Sequence, residues 1–297
     1  MKFYLSQVLL LTFIFSTLAT IGLADRVLDL DGNGDYADIP DSPSLSNLPQ
    51  LTLEAWINPT VTNPFSNGIE AIISQYSSSA GQRAYFLAYH RTIDRIRVSI
   101  NENTGGIFFD GTIVIPQDKW THVAMTYDGS KVRIYVNKVL DTEQPVAAGG
   151  ITDFNIPIQI GSQAGSTTNR FSGAIDEARI WKVARTDANI HNSMFCSPTW
   201  HSPNLVGYWR MNDNSVLWDH SHNGNTGTLV GDAQLIFGSF TCTQAARLIG
   251  PLTRGTQHMN DLNGSDASGN GVQAAPRRPS RTLKNHLTTT WGQIKRK

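Results

Sequence analysis

The chain has 297 residues, 40% of them hydrophobic and 16% charged, with 24 Lys/Arg balanced by 24 Asp/Glu. That length allows one large domain or two small ones, and zero net charge excludes a global basic field of the kind that draws nucleic acid or anionic membrane. The balance hides an asymmetry: residues 243–297 hold nine Lys/Arg and two Asp/Glu, while residues 25–242 hold fourteen and twenty-two.

Residues 1–24 read as a signal peptide. Lys2 precedes an apolar run from Val8 to Phe15, and the segment ends Gly22-Leu23-Ala24. Small residues at those last positions suit cleavage before Asp25. Polar Ser6, Gln7, Ser16, Thr17 and Thr20 interrupt the stretch, and no later segment reaches the eighteen or so apolar residues of a span. The expectation is a secreted protein, periplasmic if bacterial, with no membrane insertion after cleavage. Cys196 and Cys242 then meet an oxidising compartment, where two thiols more often pair than stay free, so a disulfide between them is expected.

The body, 25–242, is a succession of β-type runs. Strands are expected at Arg26–Asp31, Tyr36–Ile39, Leu51–Asn58, Glu70–Gln75, Ala84–Tyr89, Arg95–Ile100, Ile107–Ile113, Thr121–Tyr127, Lys131–Asn137, Ile158–Ile160 and Gly173–Trp181. Gly, Asn, Asp, Ser and Pro separate them, as turns require. Leu51, Leu53, Ala55 and Ile57 alternate onto one face, as do Val132, Ile134 and Val136. Tyr127-Asp128-Gly129-Ser130 carries an Asp-Gly hairpin signal. Thr186–Met194 is the one expected helix of the body, capped by Thr186 with Ala188, Ile190 and Met194 as its stripe. Leu205–Met211 and Leu229–Phe237 read as strands around a polar turn, Asp219–Thr228. Many strands with no intervening helices predict an all-β, antiparallel two-sheet sandwich with one short helix. Residues 243–297 are expected to be a disordered basic tail, because Asn260–Ser280 is too poor in aliphatic residues to offset its ordering entropy. Its sequon at Asn263 is a glycosylation acceptor only where the source glycosylates exported proteins.

Within the first turn, Asp29, Asp31, Asn33 and Asp35 alternate and Gly34 stands sixth, the first half of an EF-hand loop. The twelfth position, which should be a bidentate Glu, is Pro40, and the entering residues alternate like a strand. A strand, a turn and a second strand is the better reading.

Four motifs in this order and spacing resemble the laminin G-like, concanavalin A-like jelly-roll domain. They are LDLDGNGDYADIP (28–40), LTLEAWINP (51–59), WTHVAMTYDG with VRIYVN (120–137), and FSGAIDEARIW followed by Ala184-Arg185-Thr186 (171–186). LVGYWRMND (205–213) with DHSHNGNTGTL (219–229) is similar to a segment that often adjoins such domains, here 205–237. The chain departs from the pattern at Asn137-Lys138, where the family usually turns on Asn-Gly, which puts the tightness of that hairpin in question. The resemblance implies a jelly roll that recognises a carbohydrate or an extracellular protein. It also implies that the first and last strands lie side by side. That could bring Asp176 to Asp31, Asn33 and Asp35 as a structural calcium site. The other reading is that these side chains only cap the turn.

For catalysis, a glycosidase needs two carboxylates across the scissile bond. The Glu-x-Asp-x-x-Glu string of some jelly-roll enzymes is absent, and Asp176 and Glu177, adjacent in a strand, should point to opposite faces. No catalytic residue is therefore assigned. His220 and His222 are too few for a metal site and read as a solvated loop. Trp56, Trp120 and Trp181 read as packing residues and His122 as structural. Arg83, Tyr85, Tyr89 and His90 cluster on one strand and could stack on a sugar face, or be ordinary sheet residues. The function expected is a non-catalytic binding module; a glycoside hydrolase and a purely adhesive domain are the alternatives.

Overall fold

The computed structural model describes residues 25–77, 81–101, 106–194, 202–213 and 215–238. The expected signal peptide, the basic tail, Asn263, Cys196 and Cys242 lie outside them. The elements in chain order are β1 (Arg26–Asp31), β2 (Tyr36–Ile39), β3 (Leu51–Pro59), β4 (Ile69–Ser77), β5 (Gln82–His90), β6 (Arg95–Ile100), β7 (Ile107–Asp110), β8 (Thr121–Tyr127), β9 (Lys131–Val136) and β10 (Val139–Pro145). Then follow β11 (Ile158–Ile160), β12 (Ser172–Trp181), α1 (Asp187–Ser193), β13 (Leu205–Trp209), β14 (Thr228–Val230) and β15 (Gln234–Phe237).

They form two antiparallel sheets. One runs β10-β9-β8-β3-β12-β1-β15, with β13 also paired to β12; the other runs β14-β2-β11-β4-β5-β6-β7. The two inner faces enclose one apolar core. Leu51, Leu53, Ala55, Ile57, Val132, Ile134 and Val136 all enter it, as their alternation requires. Among the described residues, the fold is therefore the jelly-roll sandwich with one short helix.

Several boundaries differ for identifiable reasons. The run expected to reach Ile113 stops at Asp110, because the Asp141 carboxylate captures the backbone N–H groups of Thr112 (2.8 Å) and Ile113 (3.0 Å). β10 has no counterpart in the sequence reading. It is an exposed edge strand whose ladder shifts between Leu140 and Thr142, so no buried face imposes a period. The β9–β10 turn is tight despite its Lys: Val136 pairs with Val139, and Asn137 and Lys138 both take positive φ, 46° and 70°. That is the two-residue hairpin geometry that usually selects Asn-Gly. The helix is bounded as expected. Thr186 Oγ1 accepts from the Asn189 backbone N–H (3.3 Å), and Met194 closes the other end.

The C-terminal strands are part of the sandwich. The single run expected at Leu229–Phe237 is two strands in different sheets: β14 pairs β2, and β15 pairs β1. Two of the chain's crossings between the sheets thus lie at one end, from β1 to β2 and from β14 to β15. Gly231 (φ 73°) lets the two crossings touch, since a Cβ there would stand 2.7 Å from the Gly34 carbonyl oxygen.

Candidate functional site

The outer face of the β14…β7 sheet carries a row of side chains, one per strand. Phe108 registers with Ser99, Ser99 with Phe86, Phe86 with Ser74, Ser74 with Gln159, Gln159 with Asp38, and Asp38 with Thr228. Seven strands at 4.8 Å spacing make this face roughly 29 Å wide. Phe86, nearly buried, floors a recess of about 190 Å³ beside Tyr76, Arg97, Phe108, Gln163 and Asn169. Tyr76 and Phe86 pack with ring centroids 5.2 Å apart. Phe108 stands at the rim, 55% exposed.

The long β11–β12 connection borders the recess and is fixed from several sides. Ser74 Oγ donates to the Ser162 carbonyl (2.7 Å), the Ala164 N–H to the Tyr76 carbonyl (3.1 Å), and Asn169 Nδ2 to Gln163 Oε1 (2.5 Å). On the other side of Gln163 a second recess of about 240 Å³ is lined by Tyr36, Gln159, Ser166 and Arg170. Aromatic, amide and guanidinium groups therefore alternate along one trough. Arg97 is held in place by a two-pronged ion pair with Asp110 (2.8 and 2.7 Å), and its guanidinium lies 5.5 Å from the Phe108 ring centre.

The four residues expected as a sugar platform are not brought together. Tyr85 and Tyr89 point inward and are fully buried in the sandwich core, because odd positions of β5 face the other sheet. The Tyr89 hydroxyl donates to Asp94, and burial raises the pKa of both phenols. This corrects the expectation for the pair. His90 faces outward and its Nδ1 lies 3.1 Å from Asp110. Arg83 sits 5.6 Å from the Tyr76 ring centre, at the margin of the trough. The residues that build the recess, Phe86 and Phe108, went unassigned, although Phe86 lies between the two tyrosines at the opposite parity.

The expected calcium ligands divide as well. Asp31 and Asp35 approach each other, and the Asp31 N–H donates to Asp35 Oδ2 (2.7 Å). Asn33 contributes its backbone N–H to Asp31 Oδ1 (2.6 Å). Asp176 is elsewhere: Asp31 pairs with Ser172, four residues earlier on β12, and Asp176 pairs with Trp56. Four residues of strand is roughly 13 Å. The third carboxylate is Asp232, from the β14–β15 crossing, with ligand atoms of all three within 4.8 Å of one another. Burial, together with the Asp31 charge, pushes the Asp35 carboxyl up to about 6.

A second acidic group lies on the outer face of the other sheet. A bulge between Asp176 and Arg179, with Glu177 at φ 52°, breaks the alternation there. Asp176 and Glu177 therefore share a side, contrary to the expectation of opposite faces. Burial and then the Glu177 charge push Asp176 well above the usual carboxylate range. Glu177 receives Arg179 Nη2 and the Tyr208 hydroxyl (2.7 Å). Arg179 also donates to the Ser193 carbonyl (2.9 Å) and lies 3.5 Å from Glu54. Glu54 accepts from Arg185 and Trp181 (2.8 Å each). Although burial opposes it, Arg179 and Arg185 hold Glu54 below its usual value. His122, beside Trp56 at 5.4 Å, is pushed down to about 4 by burial, so its 3.6 Å approach to Glu54 is a contact of a neutral ring. All of these groups except the partly exposed Arg185 are buried, and the carboxylates and guanidinium groups are tied to one another, as a structural network under α1 requires. Trp56 and Trp181 pack on this side of the sheet, outside the inter-sheet core.

Comparison with known proteins finds a match to the family described as the concanavalin A-like lectin/glucanases superfamily over residues 31–191. Among curated proteins, pappalysin-1 of Mus musculus is 33% identical over 179 residues, 57% of this chain and 11% of that protein. The chain thus spans about a tenth of that relative. Among solved structures, a candidate carbohydrate binding protein from Bacteroides ovatus superposes with a TM-score of 0.58 at 20% identity, covering 73% of this chain and 61% of that one. The CBM40 domain of the Ruminococcus gnavus IT-sialidase superposes with a TM-score of 0.46 at 13% identity, covering 56% and 95%.

Proposed function

Because the chain belongs to the concanavalin A-like lectin/glucanase superfamily, we propose that it is an exported, non-catalytic module that binds a carbohydrate in the trough on the outer face of its β14…β7 sheet. The observation that carries this reading is the recess of Tyr76, Phe86 and Phe108 flanked by Arg97, Gln163 and Asn169. A pyranose offers an apolar face that stacks on aromatic rings and a rim of hydroxyls that pair with amides and guanidinium groups. At about 190 Å³ the recess is smaller than the roughly 300–1,000 Å³ pockets that enclose a small molecule, which suits a sugar lying across a platform. The pinned β11–β12 connection places its amides in advance, so little ordering opposes binding. Among the described residues, the recess lining contains no carboxylate, whereas glycoside hydrolysis uses a pair. The likeness of fold to the Bacteroides protein agrees with this reading, and the apolar run ahead of Gly22-Leu23-Ala24 supports export.

The test is a glycan array of the purified chain, followed by calorimetry on its best ligand. Phe108→Ala should weaken binding at least tenfold, as loss of an aromatic contact of 1.4 kcal/mol or about that implies. Its exposure means the melting temperature should barely move. Gln163→Ala should also weaken binding. A blank array at millimolar ligand, or undiminished affinity in both variants, would overturn the assignment. Turnover of a glycan, lost on substitution of one Asp or Glu, would replace it with a hydrolase.

A further inference from the structure

We infer that the α-ammonium group freed when the leader is cut before Asp25 is the counter-charge of the buried Asp176 carboxylate, so that removal of the leader tightens the sandwich. The inference rests on the export in the reading above but on none of the trough's residues, so a blank glycan array would leave it standing. Three observations point to it.

The first is Asp176. It is 2% exposed on the outer face of its sheet, and among the described residues its one hydrogen bond comes from the Glu177 backbone N–H (2.7 Å). No ion pair among the described residues reaches it, because Arg179 serves Glu177 and Glu54. A buried carboxylate left in this way is costly unless a proton or a cation meets it.

The second is the place of Asp25. Leu28 registers with Ile175, so one step back along β1 brings Val27 towards Asp176. Val27 packs in the cluster of Trp56, which is the residue opposite Asp176. Asp25 follows on the same face, roughly 7 Å further along the strand. It is also tied down, unlike most chain ends. Its carbonyl accepts from the Gly238 N–H (2.9 Å), its carboxylate from Asn212 Nδ2 (3.4 Å), and Asn212 Oδ1 accepts from the Arg26 N–H (2.7 Å).

The third is charge. Burial and then Glu177 raise the Asp25 carboxyl, and at Asp176 the charges of Glu177 and Asp25 add to burial in the same sense. The cations facing the three carboxylates are Arg179 of β12 and Arg210 beyond β13, and β15 carries no charged residue. In the uncut chain the Asp25 nitrogen is a neutral amide. Cleavage places a positive charge on that atom, beside an acidic group short of cations. An ammonium favoured by the fold has its pKa raised above the 7.7–8.0 or so of a free chain end. Its contribution is therefore full below about pH 8 and is lost as pH rises through the folded-state value.

The experiment compares the chain secreted behind its own leader with one that keeps a Gly/Ser extension of about ten residues ahead of Asp25. The extension carries its amine roughly 17 Å away, beyond the screening length of about 8–10 Å. Sequencing of the secreted chain should begin at Asp25. Its α-amino group, titrated by NMR, should hold its proton about tenfold more tightly than a free chain end, with a pKa near or above roughly 9. At pH 7 it should melt about 3–5 °C above the extended chain, and the gap should close as the amine deprotonates. Asp176→Asn, which keeps the shape of the side chain, should remove most of both effects. Glu143→Gln, on the edge strand β10, should change neither. A first residue other than Asp25, an α-amino group titrating near pH 8, or an undiminished gap in Asp176→Asn would overturn the inference.

Discussion

Arg179→Ala is expected to destabilise the domain by about 3–5 kcal/mol, the cost of removing one partner from a buried ion network. Arg179 is fully buried, and its guanidinium joins Glu177, Glu54 and the Ser193 carbonyl. Without it, Glu177 keeps only the Tyr208 hydroxyl, and its charge stands beside Asp176 in a site that excludes water. Glu54 suffers less, because Arg185 and Trp181 still reach it. For a domain of about 200 residues the melting temperature should fall by about 6–20 °C. Most of that loss is the stranded carboxylate, so Arg179→Met combined with Glu177→Gln should cost less than Arg179→Ala alone. Urea unfolding of the variants decides the matter. A loss below about 1 kcal/mol for Arg179→Ala would mean that the network contributes little.

Acid should also weaken the fold through His122. The side chain is buried and neutral, with its pKa pushed down to about 4, whereas the unfolded chain titrates near 6.5. Below pH 6.5 the unfolded state takes up a proton that the native state refuses, so stability falls as pH drops and levels off below about pH 4. The expected loss is about 2 kcal/mol at pH 5 and about 3 kcal/mol at pH 4. The groups facing the ring are Glu54, which favours its protonation, and Arg179 and Arg185, which oppose it. Asp35 acts in the reverse sense. With its carboxyl raised to about 6, it destabilises the folded state above that pH and is relieved as pH falls towards its unfolded value. The clean measurement is therefore a difference: the stability of wild type minus that of His122→Phe, followed from pH 7 to pH 4.5. The gap should shift against the wild type by about 2 kcal/mol. Parallel curves would show that His122 does not titrate as a buried neutral ring.

What the sequence determined by itself is the layered fold. Alternation in Leu51–Ile57 and Val132–Val136 names the inward faces because a half-buried strand repeats every two residues. Thr186 marks the start of α1 because a β-region hydroxyl can accept a backbone N–H of the first turn. Only the tertiary structure decided which functional groups meet. The bulge at Glu177 reversed the expected facing of one acidic pair, and a one-residue change of parity turns a surface side chain into a core one. The same parity put Tyr85 and Tyr89 inside and Phe86 outside, a choice that a strand apolar on both faces does not disclose. The separation of Leu229–Phe237 into two strands of different sheets carried Asp232 to Asp31 and Asp35, and register along β12 carried Asp176 away. Short-range periodicity reports a residue's own face; which distant face lies opposite depends on pairings between segments hundreds of positions apart, and those leave no local mark.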